Sequence, residues 1–540
     1  MKKNYPILIF AFLTIAIMAP LYQDGFVFLL DMVWTPKIQL SDYLINGINS
    51  GFPLTLLFKL LSFIIPTEII QKILLSTILF LCGYLMFRLA QTLMLKKWAL
   101  LSGIFYMLNP WVYERFLAGH WKVLLGYAIL PLAIGLFLKM LKNPSRKNFF
   151  IFFIGFSLYP LISLHWTYIS FFFLIGLSII YYFFDKSNKK LVVPYFSLAK
   201  ASSIFGIIFL AINSFWLFEF FGEDGIIRKI TLNDFSAFAT IADAQWGSFF
   251  NTLSLYGFWQ KSYFLPKDYF SWWWILTFLV LFLIIAGAFQ SIKKKNTLGI
   301  TLTFLFIPTL FIAVGYGSPF TKPIIDFLYH TLPGFKGLRE TAKISGLLAF
   351  TYAILAPLGA QYCTRNISKN STKIFFVMTM LIPFLWTHSI FWGFRNQLKT
   401  YQYPIGWHKT EQMLSASSQK IENVLFLPWH GYLILNFAGN DRIANPARAF
   451  FSANIIVGKN LDSVYLLETE QAKWDKKIFS WLNEVATLSD NKNFLKSENV
   501  SHIILTKTHD WDRYEFLENS KLLKKIFEDN SVVLYRVESL

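Results

Sequence analysis

The sequence predicts an α-helical polytopic membrane protein of about eleven spans, followed by a C-terminal extracytoplasmic α/β domain. Three observations predict it. The chain has 540 residues, 55% of them hydrophobic and 19% aromatic, with only 15% charged, more apolar surface than a water-soluble core accounts for. Apolar runs recur along residues 1–394, and most are long enough to cross ~30 Å of hydrocarbon as a helix. From 395 onward the composition turns to that of a soluble domain, with alternating strand-like and helix-like stretches.

The net charge of +19 invites a nucleic-acid reading, but its distribution excludes one. Up to Phe394 there are 32 Lys+Arg against 14 Asp+Glu; from Arg395 onward there are 18 against 17. The surplus belongs to the apolar part, where basic loops set orientation and meet anionic lipid. Membrane lipids are therefore a partner and nucleic acid is not.

The spans fall at 5–22, 68–94, 98–114, 121–141, 148–164, 166–184, 197–218, 271–290, 298–316, 344–362 and 373–394. Met1-Lys2-Lys3 followed by Ile7 to Pro20 has no small-x-small cleavage site and reads as a retained signal-anchor helix. Pro53 to Pro66 is apolar but too short to cross, so it reads as re-entrant or interfacial. The stretch 148–184 is divided into two spans around Pro160 and His165-Trp166. With the N-terminus cytoplasmic, Lys96-Lys97, Arg146-Lys147, Lys189-Lys190 and Lys293-Lys294-Lys295 all fall inside, and of the acids before Arg395 only Asp185 does. That is the positive-inside signature of a multi-pass plasma- or inner-membrane protein. The membrane domain is then 1–394, with outer loops 23–67, 219–270 and 317–343, and the soluble domain is 395–540. In the latter, 424–427, 500–505 and 531–536 read as strands, and 465–487 and 514–527 as helices. Cys82 and Cys363 lie in or at the end of apolar runs, too far from a thiol metal pattern to name one.

The outer face collects the chemistry. Asp24, Asp31 and Asp42 lie in the first loop, and Asp31 is set between Phe28-Leu29-Leu30 and Met32-Val33-Trp34. An acid among apolar residues at a membrane surface needs a partner or a task, and burial by those neighbours would raise its pKa. Arg115, His120 and Lys122 flank one short outer loop; Arg339, Glu340 and Lys343 lie just before a span. Carboxylate, cations, aromatic loops and an apolar groove are what transfer of a sugar from an isoprenoid phosphate requires. The acid holds or deprotonates the acceptor hydroxyl, and the cations stabilise charge on the leaving phosphate. Asp510-Trp511-Asp512 spells a metal-sugar-nucleotide motif but stands in a small domain with no nucleotide signature, so it is read as coincidence.

The order of these features resembles the GT-C superfamily of polyprenyl-phosphate-dependent glycosyltransferases. More narrowly, it is similar to the N-terminal membrane region of the α-(1→3)-arabinofuranosyltransferases and of YfhO-type membrane proteins. The matching pieces are Leu30-Asp31-Met32-Val33-Trp34-Thr35-Pro36, Gly103 to Tyr113 with Asn109-Pro110-Trp111, Gly119-His120-Trp121, Gly126 to Leu132, and Leu338-Arg339-Glu340-Thr341-Ala342-Lys343. The resemblance implies a polyprenyl-phosphate-linked sugar as donor, a cell-envelope glycan or lipid as acceptor, and Asp31 as the first-loop acid. Arg339, Lys343, Glu340, Arg115, His120 and Lys122 are then the substrate and phosphate group, with Asp24 and Asp42 as secondary acids. The first loop has no Asp-x-Asp pair, so no metal ligand is named and a divalent metal is left open. The alternative is a non-catalytic lipid or polysaccharide transporter, or an envelope assembly factor, on the same scaffold.

Overall fold

A computed structural model describes residues 5–40, 48–184, 195–221, 226–260, 263–416, 423–439, 442–458, 472–486 and 493–538. Among these, six helices are long and apolar enough to cross a membrane: Thr67–Ala90, Trp121–Lys142, Leu164–Phe183, Trp273–Lys293, Thr297–Gly317 and Thr341–Cys363. A seventh arises if Lys369–Trp386 and His388–Asn396, bent by 58°, act as one span. Tyr5–Leu21, Phe52–Leu61 and Ser203–Phe218 are shorter apolar helices. The protein is a membrane protein. The expected span 98–114 is broken into Lys96–Met107 and Pro110–Leu117. Asn109-Pro110 is the cause: the Asn109 side chain accepts from Val112 N at 3.0 Å and Pro110 starts the new helix, a stop-and-restart that the apolar run conceals.

The chain divides into two compact units. The first comprises Met1–Ala19, Asn46–Leu54 and Leu74–Gln397. Its centre is Ser345–Cys363, buried from Ser345 through Ala360. Trp273–Lys293 packs directly on this helix through two glycines. A Cβ at Gly287 would strike the Leu355 carbonyl, and one at Gly359 would strike that of Leu283. In lipid, such backbone contact replaces the hydrophobic drive that pairs helices in water. At the end of this unit, Trp392, Gly393, Phe394 and Arg395 have φ near 60° and helical ψ of the opposite hand, and Asn396 also has positive φ. Buried Phe394 anchors the turn on the rings of Tyr113 and Phe116, with centroids 4.8 and 4.9 Å away.

The second unit comprises Pro20–Ile45, Thr55–Ile73 and Leu398–Leu540. It holds a five-stranded sheet in which Asn423–Leu427 runs parallel to both Ile455–Ile456 and Val500–Thr506. Val532–Val537 then pairs antiparallel with Val500–Thr506, and Leu523–Glu528 closes the edge. Alternation on one strand builds two cores. Val424 and Phe426 join the Trp407 cluster, whereas Leu425 and Leu427 join the Trp481 cluster, the two-faced burial of a covered parallel sheet. The stretch expected to be a helix at 514–527 is instead a 3-10 turn, Trp511–Asn519, and the strand Leu523–Glu528. Pairing with Val532–Val537 overrides local propensity there, and exposed Lys524 and Lys525 blunt the edge. Phe26–Val27 pairs antiparallel with Thr400–Tyr401. Val27 is clamped by Gln71, whose amide accepts from Val27 N at 3.0 Å and donates to Val27 O at 2.7 Å.

Candidate functional site

In the first unit the site is built on Pro110–Leu117, a helix with every residue buried. The Asn109 amide also donates to Phe105 O at 3.1 Å and Tyr106 O at 2.9 Å, which fixes the helix start against the preceding one. Trp111 Nε1 donates to Ala342 O at 3.1 Å and ties this helix to the turn that carries Glu340 and Lys343. Arg115, with no exposure, then meets the carboxylate of Glu340 through Nη1. Lys343 Nζ lies 3.1 Å from the other Glu340 oxygen and 3.3 Å from His165 Nε2. His120 Nδ1 is 3.2 Å from Arg115 Nη1, and its ring meets Phe258 edge-on at 5.5 Å.

Burial pushes the Glu340 carboxyl up, but the charges of Arg115 and Lys343 more than offset it and hold it well below the usual carboxylate range. Arg115 and Lys343 set two cations against the Glu340 carboxylate, and the Glu114 carboxyl borders the same guanidinium. Arg115 Nε and Nη2 are buried and find no hydrogen-bond partner among the described residues. Unsatisfied donors on a buried guanidinium cost several kcal/mol unless an anion supplies acceptors. The guanidinium stacks instead over Phe258, 4.9 Å from its centroid, and Trp111 at 5.8 Å.

The structure thus gathers Arg115, His120, Glu340 and Lys343. Arg339 stands over the Phe238 ring at 5.0 Å. Lys122 lies over Trp121 at 5.4 Å, with its ammonium filling the space where Gly51 would carry a Cβ. Two members were not singled out from sequence. His165 stands between the expected spans 148–164 and 166–184, where the sequence used it only to mark their break. Glu114 is buried next to Arg115 and accepts from Gly257 N at 3.3 Å and Phe258 N at 3.1 Å. An adjacent acid and base within the apolar stretch Trp111 to Leu117 was its signal.

Asp31 belongs to the second unit. Leu29 and Met32 exchange backbone hydrogen bonds of 3.1 and 3.2 Å, making a tight turn with Leu30 and Asp31 at its tip. Phe28, Leu29, Leu30 and Met32 are buried, whereas Asp31 is exposed. The apolar neighbours therefore do not bury the acid as expected, because the turn sends them inward and it outward. Tyr432 donates to Asp31 Oδ1 at 2.6 Å, and Ala444 N donates to Leu30 O at 2.8 Å. Asp24 is exposed and Asp42 lies outside the described residues. Asp510 accepts from Thr508 at 2.8 Å and pairs with His430 Nε2 at 2.8 Å, so the Asp510-Trp511-Asp512 stretch is engaged within its own unit. Among the described residues no group of three or more His, Cys, Asp or Glu is arranged to hold a metal ion.

The fold is similar to that of three solved structures. Over 100% of this chain and 40% of theirs, it aligns with the cryo-EM structure of arabinofuranosyltransferase AftD from Mycobacteria at TM-score 0.63 and 11% identity. Two classes of a mutant of that enzyme align at TM-scores 0.62 and 0.57, with 11% and 12% identity and 42% of their chain covered. This chain therefore spans about two fifths of the length of those proteins. No protein-family model matches the sequence. No curated protein matches it.

Proposed function

We propose that this protein is an integral-membrane glycosyltransferase of GT-C type, moving a sugar from a polyprenyl-phosphate donor to a glycan or lipid acceptor on the outer side of the membrane. The observation that carries the reading is the buried Arg115–Glu340–Lys343 cluster, set in a scaffold whose fold is similar to that of an arabinofuranosyltransferase. In the reaction, the acceptor hydroxyl attacks the anomeric carbon and the bond from that carbon to the phosphate oxygen breaks. The acceptor proton goes to a carboxylate or to water. Negative charge gathers on the departing lipid phosphate, where preorganised cations in a water-poor setting are worth most. Arg115, with Nε and Nη2 lacking acceptors, and Lys343 supply that charge, while Glu340 holds both in place.

In this reading the chain crosses the membrane about eleven times, with the N-terminus cytoplasmic and residues 395–540 outside. Asp31, steadied by Tyr432, is proposed as the carboxylate that orients the acceptor hydroxyl. The test uses purified full-length protein with radiolabelled polyprenyl-phosphate sugar. Arg115→Met is expected to abolish cleavage of the sugar–phosphate bond while the protein still folds, and Asp31→Asn to lower transfer at least tenfold. Intact donor in the wild-type reaction, with lipid-linked sugar moved across vesicles, would instead establish the transporter alternative.

A further inference from the structure

Beside the cation cluster, within the first unit, lies a cavity of about 290 Å³ between Glu114 and the 241–268 segment. Its polar groups are of a different kind. Glu114, Asp243 and Asp268 bring three carboxylates and Lys267 one ammonium. The ammonium is already engaged, 2.9 Å from Asp243 Oδ2 and 2.8 Å from Asn251 Oδ1, with the Tyr256 and Trp273 rings 5.1 and 5.3 Å away. Asp243 also accepts from Gln245 N and Trp246 N, and Asp268 from Leu265 N at 2.7 Å. These contacts fix the loop rather than leave a cation seat. Glu114 is fixed from the other side by the amides of Gly257 and Phe258. Gly257 has φ +135°, and a Cβ there would crowd the Thr240 methyl, so this residue must be glycine for the amide to face Glu114.

The pocket is therefore rigid, negative on balance and hostile to phosphate. What it presents is a mixed wall: a fixed carboxylate, the Gln260 amide, the Tyr263 phenol and the Phe258 ring. Convergent acceptors and donors beside one aromatic surface suit a neutral polyhydroxyl ring, and the volume suits a small ligand and not a lipid tail. Phe258 joins the two places, since it lines the cavity and also carries Arg115 and His120. We infer that this cavity is a neutral-sugar subsite, an inference that deepens the glycosyltransferase reading and rests on it. The ring it takes belongs either to the lipid-linked donor or to the end of the acceptor glycan.

The test titrates the full chain in lipid nanodiscs with neutral methyl glycosides (arabinofuranoside, galactofuranoside, glucoside, mannoside) by saturation-transfer NMR. Methyl glucuronoside and galacturonoside, charged on the ring and not at the anomeric carbon, serve as charged counterparts. Gln260→Leu removes one polar wall and Ala242→Trp fills the space from the exposed rim. At least one neutral glycoside is expected to bind saturably, about tenfold or more weakly in both variants, and the charged uronosides about tenfold more weakly than the neutral glycosides in wild type. Displacement by a polyprenyl-phosphate sugar assigns the donor ring; displacement by a neutral acceptor oligosaccharide assigns the acceptor, and either result supports the subsite. No saturable glycoside, unchanged binding in folded variants, or uronoside binding as tight as the glycoside would overturn it. Glycoside binding that persists when no transfer is detectable sinks the enzyme reading alone; transfer without glycoside binding sinks this one alone.

Discussion

Glu340 is the residue on which the cation cluster turns. Removing its charge leaves Arg115 and Lys343 facing each other in a water-poor site, so Glu340→Gln is expected to destabilise the protein by about 3 kcal/mol or more, read as a lowered thermal midpoint in detergent. The pH dependence carries a definite sign. The folded carboxyl sits below its ordinary range, so its stabilisation is complete above the unfolded value of ~4.3 and is lost as pH falls through lower values. The wild-type midpoint should therefore drop more steeply than that of Glu340→Gln between pH 5 and 3. A parallel pair of curves would refute the assignment. Glu340 and its two cations were legible in the sequence because charges are scarce there. The exposure of Asp31 was not, since six apolar neighbours foretell a buried segment but not which side of a tight turn each residue takes.

At the level of elements, the contact of Trp273–Lys293 with Ser345–Cys363 depends on the absence of a methyl group. Gly359→Ala is expected to push the helices apart and lower the thermal midpoint, while Gly155→Ala, where a Cβ meets only Leu136 at 3.8 Å, should leave it within error. The left-handed turn at Trp392–Asn396 gives a contrast of a different sort. A β-branched residue tolerates positive φ poorly, so Arg395→Val should cost about 1–2 kcal/mol, whereas Arg395→Gly should be close to neutral. Equal effects in denaturation would show that this hand of turn is not populated. Helices of this protein announce themselves by length and apolarity; breaks such as Asn109-Pro110 need the capping pattern to be read as well. The turn at 392 left no trace in the sequence, because Trp, Phe and Arg do not favour that conformation and only their packing imposes it. The edge strand Leu523–Glu528 was likewise hidden, its partner lying in the next strand along the chain.

For the whole molecule, the distribution of charge predicts an orientation. On a background of Cys82→Ala and Cys363→Ala, Asp512→Cys is expected to react with an impermeant maleimide in intact cells, and Lys294→Cys only after permeabilisation; the reverse pattern would invert the topology. Composition shifts near residue 395, but nothing in it foretold that Pro20–Ile45 and Thr55–Ile73 group with the C-terminal residues, since such grouping is made by pairings distant in sequence, like Phe26 with Tyr401. The pairing of Arg115 with Glu340 carries a last consequence. Dissolved ions mute charges over about 8 Å of electrolyte, and this pair sits where electrolyte does not reach. The attraction between the two therefore persists through extraction and through changes of salt that dissolve pairs at the surface.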